Sequence, residues 1–210
     1  MEPTRILAIR HGETVSNQKG RFQGQSDSPL SPAGILQSQA LGRRLATIHL
    51  AAFYSSDLGR AWHTAQLVAE ITGHAIQSEV RLRERHLGVF QGLTAEEAGA
   101  QFPEVNAAFR SGNPDYVMPG GESMRQSLDR FVACCDELAV RHAGQSIALI
   151  THGGVLSTFL RHVLGMPLDA PRRYKRLNAS INQFSREKGR WYLESWGDVA
   201  HLDGQSLDDA

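Results

Sequence analysis

The sequence predicts an α/β fold, a three-layer sandwich in which helices cover both faces of a mostly parallel central sheet. Short apolar runs bounded by polar residues alternate along the chain with longer amphipathic stretches, which is typical of strands that alternate with helices. The strands are nearly continuous apolar runs, as parallel strands buried on both faces are. The 210 residues are enough for one domain with a full core, or for such a domain with a small cap.

The first predicted elements are two strands with a helix between them. Residues 5–10, RILAIR, predict a buried strand because they are nearly all apolar. Ser31 and Pro32 are typical of an N-cap and a first helical position, so a helix is expected within 30–48. Residues 51–56, AAFYSS, predict the second strand.

A second helix is expected after Asp57, with Gly73 as the residue that ends it. Its inward face is predicted from apolar residues at helical spacing, namely Ala61, Ala65, Val68 and Ile71. A third strand fits near 75–80. The segment 82–121 is less regular and rich in glycine and proline.

Within that segment, Thr94 and Glu97 predict a capping box that begins a short helix. From Glu122 a helical stripe returns, formed by Met124, Leu128, Phe131, Val132, Cys135, Leu138 and Ala139. The sequence therefore predicts a long helix in this region.

The last predicted elements are one buried strand, one helix and two shorter strands. Residues 146–151, SIALIT, predict a strand, and 154–165 predict the helix after it. Two late stretches, 180–184 and 191–196, are expected to be edge strands.

Composition excludes several classes of function. Lysine plus arginine equals aspartate plus glutamate, at 22 each, so no overall field favours a nucleic acid or an anionic membrane as partner. No apolar run is long enough for a bilayer-spanning helix or a signal peptide. The two cysteines, Cys134 and Cys135, are adjacent and match neither a disulfide framework nor a zinc spacing. A structural role in a reducing cytoplasm is expected.

Chemically distinctive residues follow three of the predicted strands. Arg10 and His11 end the first strand, residues 55–57 follow the second, and residues 151–153 end the SIALIT strand. In open α/β sheets, ligands bind beyond the carboxyl ends of the strands. We therefore expect His11 and His152 to meet above the sheet.

Each of these residues also has a simpler interpretation. A lone histidine is more often structural, an isolated arginine such as Arg60 usually faces solvent, and Glu84 among cationic neighbours could form a surface ion pair. Arg60, however, is expected near a helix N-terminus, where anions are favoured. Its guanidinium would add a bidentate clamp for an oxyanion.

Together, two arginines, two histidines and one carboxylate suit phosphoryl transfer. A phosphate dianion needs dense positive donors, a neutral imidazole can attack phosphorus, and a carboxylic acid can protonate the leaving alkoxide. The sequence has no P-loop signature and no aspartate cluster for magnesium. A metal-free mechanism is expected.

Five motifs in order, RHGET..N, SSDLGRA..TA, LRERHLG.FQG, GGES and THGG, resemble the histidine phosphatase superfamily in its phosphoglycerate-mutase-like branch. The resemblance runs from about residue 5 to 200. It implies that His11 is the phosphorylated nucleophile and that Glu84 is the proton donor and acceptor. It implies a phosphate pocket formed by Arg10, Arg60 and His152, with Asn17 as a further donor. It also implies that the substrate end is lined by Arg21, Gln23, Gly24, Arg85 and the backbone of Gly153.

The resemblance further implies one histidine-phosphatase domain over residues 1–210, with a small helical cap inserted at about 85–120. The mutases of the family have a longer insertion there, and we expect this one to be too small to exclude water while a bisphosphate turns round. A phosphatase acting on a small phosphorylated metabolite, with no cofactor and no metal, is therefore expected.

Three alternatives stay open at this point. The first is a bisphosphoglycerate-dependent phosphoglycerate mutase. The second is a metal hydrolase that uses His11, His152 and Glu84 as ligands. The third is a protein that binds phosphorylated ligands without turnover. The sequence does not identify the phosphomonoester or the oligomeric state.

Overall fold

The computed structural model describes residues 2–202. Its strands are β1 (Thr4–Arg10), β2 (Ala52–Ser55), β3 (Ile76–Ser78), β4 (Ser146–Thr151), β5 (Ile181–Glu187) and β6 (Arg190–Asp198). They form one sheet in the order β3-β2-β4-β1-β5-β6. The neighbouring strands β3, β2, β4 and β1 pair in parallel. Strand β5 is antiparallel to β1, and β6 is antiparallel to β5. The predicted α/β class with a mostly parallel sheet is confirmed.

The helices alternate with the strands along most of the chain. They are α1 (Val15–Gln18), α2 (Pro32–Leu45), α3 (Gly59–Thr72), α4 (Ala95–Gln101), α5 (Pro103–Arg110), α6 (Met124–Arg141) and α7 (Gly153–Val163). Short 3₁₀ turns occupy Val80–Leu82 and Gly88–Phe90. Within residues 2–202, no helix combines the length and the apolar composition needed to cross a bilayer.

Side chains that alternate along β1 separate two cores. Ile6 and Ala8 pack on the face covered by α6 and α7, whereas Leu7 and Ile9 pack on the face covered by α2 and α3. Successive residues of a strand point to opposite faces, so both faces of a central strand must be apolar. The expected three-layer arrangement follows from this alternation.

Local capping chemistry sets where several helices begin. The Ser31 hydroxyl accepts a hydrogen bond from the Gly34 backbone N–H at 3.0 Å, and Pro32 follows it at the first helical position. Thr94 and Glu97 form the predicted capping box of α4. Gly73 ends α3 with a φ of 73°, a conformation that glycine adopts without steric cost.

Two expectations about burial and sheet position were wrong. Ile71 is 39% exposed, because in the last turn of α3 only part of its side chain reaches Gly42 of α2. The strand predicted at 180–184 is not an edge strand, since β5 lies between β1 and β6. Its polar residue Asn182 is buried there because its amide donates to the Ala8 carbonyl and accepts from the Gly197 N–H.

Residues 85–120 form a small apolar cluster of their own over the carboxyl ends of the parallel strands. Phe90, Ala98 and Met118 are buried in it, and the rings of Phe22 and Phe90 stack with their centroids 5.7 Å apart. Two backbone hydrogen bonds join Phe22 to this segment. The Phe22 N–H donates to the Leu93 carbonyl, and the Phe22 carbonyl accepts from the Gly92 N–H. The segment is therefore fastened to the loop that follows α1.

We expect Gly34→Ala to destabilise the protein, because α2 lies directly against the chain that follows β1. A Cβ atom at Gly34 would lie 2.0 Å from the Glu13 carbonyl oxygen, so helix or loop would have to move. Overpacking of this kind costs about 1–3 kcal/mol in the free energy of unfolding, measurable by urea denaturation. Leu36→Ala, on the exposed side of the same helix, is the control and should change it by less than about 0.5 kcal/mol. Equal midpoints for the two variants would contradict the prediction.

Candidate active site

A cavity of about 680 Å³ lies at the carboxyl ends of β1, β2 and β4, beneath the segment 85–120. Ten of the eleven site residues predicted from the sequence line it: Arg10, His11, Asn17, Arg21, Gln23, Gly24, Arg60, Glu84, Arg85 and Gly153. The eleventh, His152, is fully buried beside His11, with the two ring centroids 5.2 Å apart. The fold therefore brings all eleven residues into one region.

His11 is held in one tautomer by the loop that ends β1. Its Nδ1 atom lies 2.7 Å from the Gly12 carbonyl oxygen, and because a carbonyl only accepts, Nδ1 carries the proton. Nε2 therefore carries an electron pair, which accepts a hydrogen bond from the Nε–H of Arg60 at 3.2 Å. The Gly12 N–H is fixed in turn by the Thr64 hydroxyl at 3.0 Å. In this arrangement the electron pair lies on Nε2 and the proton on Nδ1.

Burial and positive neighbours keep the two imidazoles neutral. Burial lowers the pKa of His11 well below its usual value, and the Arg60 and Arg10 guanidinium groups lower it further, although the Gly12 carbonyl opposes them. The pKa of His152 is also lowered well below its usual value, by burial first and then by Arg60 and His11. Both rings are therefore uncharged at neutral pH, the state in which an imidazole nitrogen can attack an electrophile.

Two buried arginines flank His11. Arg60, in the first turn of α3, donates from Nη1 to the Ser26 carbonyl at 2.9 Å and from Nη2 to the Gly24 carbonyl at 2.6 Å. Arg10 donates from Nη1 to the Arg176 carbonyl. Each side chain is 1% exposed, so the two positive charges have fixed positions in a medium that screens them poorly.

His152 occupies the N-cap position of α7, and its Nε2 atom lies 2.9 Å from the Ser56 hydroxyl oxygen. Its buried Nδ1 atom has no hydrogen-bond partner among the described residues. Ser56 is a positioning contact that sequence reasoning placed near the site but did not assign.

The first residues of α7 hold the Glu84 carboxylate. Its Oε2 accepts a hydrogen bond from the Gly154 N–H at 2.7 Å, and its Oε1 accepts from the Val155 N–H at 3.1 Å and from the Arg85 N–H at 2.8 Å. A Cβ atom at Gly154 would lie 2.3 Å from Oε1, so only glycine lets the carboxylate approach this closely. Glu84 is thus fixed at the cavity wall.

A guanidinium that sequence reasoning did not single out supports the backbone around Glu84. Arg130 of α6 donates from Nη1 to the carbonyls of Arg81 and Arg83, at 2.7 and 3.0 Å, and forms an ion pair with Glu122 at 3.1 Å. Glu122 accepts in turn from the His86 N–H at 2.9 Å. The GGES motif, which contains Glu122, is the signal in the sequence that could have found this pair.

Asn17 and Gln23 are both oriented by Thr14. The amide oxygen of Asn17 accepts from the Thr14 backbone N–H at 3.0 Å in the capping box of α1, and that of Gln23 accepts from the Thr14 hydroxyl at 3.1 Å. Gly24 has a φ of 54°, and a Cβ atom there would lie 2.4 Å from the Gln91 amide oxygen. Asn17, Gln23 and Gly24 line the same cavity as His11.

The other predicted residues of the substrate end differ in what they contact. Arg21 forms a bidentate ion pair with Glu97, at 2.6 and 3.0 Å, and so ties the segment 85–120 to the loop after α1. The Cζ atom of Arg85 lies 5.2 Å from the centroid of the Phe109 ring. Gly153 lies against Arg10, where a Cβ atom would be 3.1 Å from Nε.

The metal-hydrolase alternative requires the Glu84 carboxylate, together with His11 and His152, as metal ligands. Both Glu84 oxygens are hydrogen-bonded to backbone N–H groups. Within residues 2–202, no group of three or more histidine, cysteine, aspartate or glutamate side chains could hold a metal ion.

A family model, two protein sequences and a solved structure are similar to this chain over nearly its whole length. A model of the histidine phosphatase superfamily (branch 1) matches residues 6–199. A metal-independent phosphoserine phosphatase of Arabidopsis thaliana is 39% identical over 204 residues, 96% of this chain and 84% of that protein. A probable phosphoglycerate mutase GpmB of Salmonella choleraesuis is 36% identical, over 97% of each chain. The solved structure of Bacillus stearothermophilus YhfR is 33% identical and superposes with a TM-score of 0.86, over 95% of this chain and 99% of that chain.

The two buried histidines predict how stability depends on pH. In the unfolded chain their pKa values are near 6.5, whereas in the folded protein both lie well below. Below pH 6.5 the unfolded state therefore binds more protons than the folded state. As a result, the free energy of unfolding decreases as the pH is lowered. Each histidine contributes up to about 1.4 kcal/mol per pH unit.

Urea denaturation of the wild type and of His152→Gln at pH 7.5 and 5.5 measures this effect. The variant lacks one of the two groups, so its loss of stability between the two pH values should be smaller than that of the wild type. His49→Gln, at an exposed histidine, is the control and should match the wild type. Equal losses in all three proteins would show that burial of His152 does not make stability depend on pH.

Proposed function

The chain belongs to branch 1 of the histidine phosphatase superfamily, and from this premise we propose that it hydrolyses small phosphomonoesters through a phosphohistidine at His11, without a metal ion. The superfamily and the named relatives support a phosphatase-like or phosphoglycerate-mutase-like enzyme. The more specific assignment rests on the geometry around His11.

One observation carries this function: a neutral His11 ring with its Nδ1 proton bonded to Gly12 and its Nε2 electron pair beside the Arg60 guanidinium. In the first step Nε2 attacks the phosphorus atom, and the bond from phosphorus to the ester oxygen breaks. The phosphoryl oxygens accept hydrogen bonds from Arg10, Arg60 and His152, whose unpartnered Nδ1 can supply one of them. Positive charge built into a buried site stabilises the charge that develops on these oxygens.

Glu84 moves the proton in both halves of the reaction. As a carboxylic acid it protonates the leaving alkoxide in the first step, which leaves a carboxylate. In the second step this carboxylate takes a proton from water, the water oxygen attacks the phosphorus, and the bond from phosphorus to Nε2 breaks. Inorganic phosphate leaves, and His11 and Glu84 return to their starting states.

Phosphatase activity is supported over mutase activity by the size of the segment 85–120 and by the 39% identity to a phosphoserine phosphatase. A phosphoglycerate mutase is the second candidate, because the relative named as a probable mutase covers 97% of this chain. Incubation with 3-phosphoglycerate, with and without 2,3-bisphosphoglycerate, separates the two. Release of inorganic phosphate supports the phosphatase, whereas stimulated formation of 2-phosphoglycerate with little phosphate release supports the mutase.

We expect His11→Ala to abolish hydrolysis of p-nitrophenyl phosphate together with the acid-labile phosphoenzyme. Alanine has no nitrogen to attack phosphorus, so both signals depend on the same side chain. The measurement is trapping of labelled phosphoenzyme by acid quench, with His63→Ala as the control because that histidine lies outside the cavity lining. A labelled phosphoenzyme that survives in His11→Ala would overturn the assignment of the nucleophile.

Glu84→Gln should slow hydrolysis of an alkyl phosphate by about 10²–10⁴-fold, because the amide cannot donate a proton to the alkoxide. The loss should be smaller with p-nitrophenyl phosphate, whose leaving group needs little protonation. The ratio of kcat/KM for the two substrates is measured in the variant and in Glu104→Gln, a control at an exposed glutamate of α5. Equal losses on both substrates would show that Glu84 does not protonate the leaving group.

A further inference from the structure

One guanidinium of α6 holds the backbone that carries Glu84. Arg130 donates from Nη1 to the carbonyls of Arg81 and Arg83, at 2.7 and 3.0 Å, and from Nη2 to the Glu84 carbonyl at 3.4 Å. Its Nε and Nη2 atoms also donate to the Glu122 carboxylate, at 3.2 and 3.1 Å. A guanidinium has five N–H donors, and these contacts use all of them. The side chain is therefore fixed between α6 and residues 81–84, which we call the Glu84 stretch.

Glu122 holds the chain on the other side of Glu84. Its Oε2 accepts a hydrogen bond from the His86 N–H at 2.9 Å, and its own N–H donates to the His86 carbonyl at 2.9 Å. A Cβ atom at Gly121 would lie 2.4 Å from that carbonyl oxygen, so glycine is needed before Glu122 for this close approach. The ion pair of Glu122 with Arg130 thus joins the residues before Glu84 to the residues after it.

This ion pair lies behind the cavity wall. Glu84 lines the cavity, whereas Arg130 and Glu122 lie outside its lining. Neither of the two side chains is placed to contact a bound substrate. Any influence of the pair on the reaction must therefore act through the position of Glu84.

Other contacts attach the Glu84 stretch to the sandwich independently of this pair. The Thr151 hydroxyl donates to the Leu82 carbonyl at 2.8 Å, and Arg83 forms a bidentate ion pair with Asp57 at 2.7 and 2.5 Å. Loss of the α6 guanidinium should therefore loosen the stretch without unfolding the protein. A displacement of about 1 Å from the productive geometry can slow a reaction by about 10²-fold.

We propose that Arg130 and Glu122 are positioning residues for proton transfer by Glu84. By holding the backbone on both sides of Glu84, the pair sets the distance between its carboxyl group and the ester oxygen of the substrate. This inference rests on the proposed function, since it gives the pair a role in protonation of the leaving group.

Two N–H groups at the start of α7 report the position of the Glu84 carboxylate. Gly154 and Val155 lie in the first turn of α7, where N–H groups have no partner within the helix, and both donate to Glu84. Their protection from hydrogen exchange therefore depends on where this carboxylate lies.

The first test is the dependence of Arg130→Gln on the leaving group. We expect kcat/KM for an alkyl phosphate to fall by about 10- to 100-fold more than kcat/KM for p-nitrophenyl phosphate, whose leaving group needs little protonation. A purely structural role would lower both values by the same factor, because it would change only the fraction of folded enzyme. Equal losses on the two substrates would overturn the proposal.

Arg125→Gln is the matched control, because it removes the same charge from the same helix. Arg125 forms an exposed ion pair with Asp115. The ratio of kcat/KM for the two substrates should equal that of the wild type. A ratio changed as much as in Arg130→Gln would make the effect one of net charge and would contradict the proposal.

Arg130→Lys is a second variant, which keeps the positive charge and serves even if Arg130→Gln does not fold. A lysine ammonium places its three donors on one nitrogen, which cannot reach three carbonyls and a carboxylate at once. The substrate ratio should therefore change several-fold in the same direction. An unchanged ratio would show that the charge alone suffices and that the guanidinium does not position Glu84.

Glu122→Gln tests whether the two residues act together. The amide oxygen can still accept from the His86 N–H, but the ion pair with Arg130 is lost. The change in substrate ratio for the double variant should be smaller than the product of the two single changes, because both substitutions break the same contact. Changes that multiply would show that the two residues act independently and would refute a shared role.

Hydrogen exchange measured by NMR separates failure of this inference from failure of the proposed reaction. The N–H groups of Gly154 and Val155 should exchange several-fold faster in Arg130→Gln than in the wild type or in Arg125→Gln. If the wild type hydrolyses both esters but exchange and substrate ratio are unchanged in Arg130→Gln, the positioning role alone is wrong. If no phosphate ester is hydrolysed yet these N–H groups lose protection, the support of Glu84 stands and the proposed reaction is wrong.

Discussion

The hydrogen bond between His11 Nδ1 and the Gly12 carbonyl is the interaction on which the rest of the site depends. It fixes the tautomer and thereby leaves the electron pair on Nε2. Burial and two guanidinium groups lower the pKa of His11, so the ring stays neutral where a protonated ring would be useless as a nucleophile. The same positive charges that keep it neutral also suit a phosphoryl group.

This arrangement requires close packing around the end of β1. A Cβ atom at Gly12 would lie 2.6 Å from the Gly34 carbonyl, and one at Gly34 would lie 2.0 Å from the Glu13 carbonyl. Helix α2 therefore lies against the turn that carries His11 and leaves it little room to move. The Glu84 side of the cavity follows the same principle, since Gly154 lets the carboxylate reach the N–H groups of α7.

The proton transfer proposed for Glu84 occupies one part of the cavity, and other residues line the rest of it. The backbone before Glu84 is fixed from α6 by Arg130, and the Glu84 carboxylate is fixed by backbone N–H groups of α7, so Glu84 is held by the helices of the sandwich. Other residues that line the cavity come from the segment 85–120 and from the segment before β5. In many folds a rigid scaffold holds the reaction centre, and the loops around it determine which substrate binds.

The sequence by itself determined the fold class, the order of most elements and the residues expected near the reaction centre. Apolar periodicity and local caps such as Ser31 and Thr94 depend only on neighbouring residues, so they can be read from the chain. The rule that ligands bind beyond the carboxyl ends of parallel strands then grouped His11 with His152. The resemblance to a known family supplied the roles expected of Asn17, Arg21 and the residues after Glu84.

Only the tertiary structure decided the tautomer of His11, the interior position of β5 and the pairing of Arg21 with Glu97. The position of β5 and the Arg21 pair depend on partners far away in the chain, such as Gly197 for Asn182 and Glu97 for Arg21. The tautomer of His11 depends on the adjacent Gly12, whose N–H is in turn held by the distant Thr64 hydroxyl. The prediction of an edge strand at 180–184 was wrong because the partners that bury Asn182 cannot be identified from a linear sequence. A local pattern specifies which element forms, whereas distant contacts specify which atoms face the substrate.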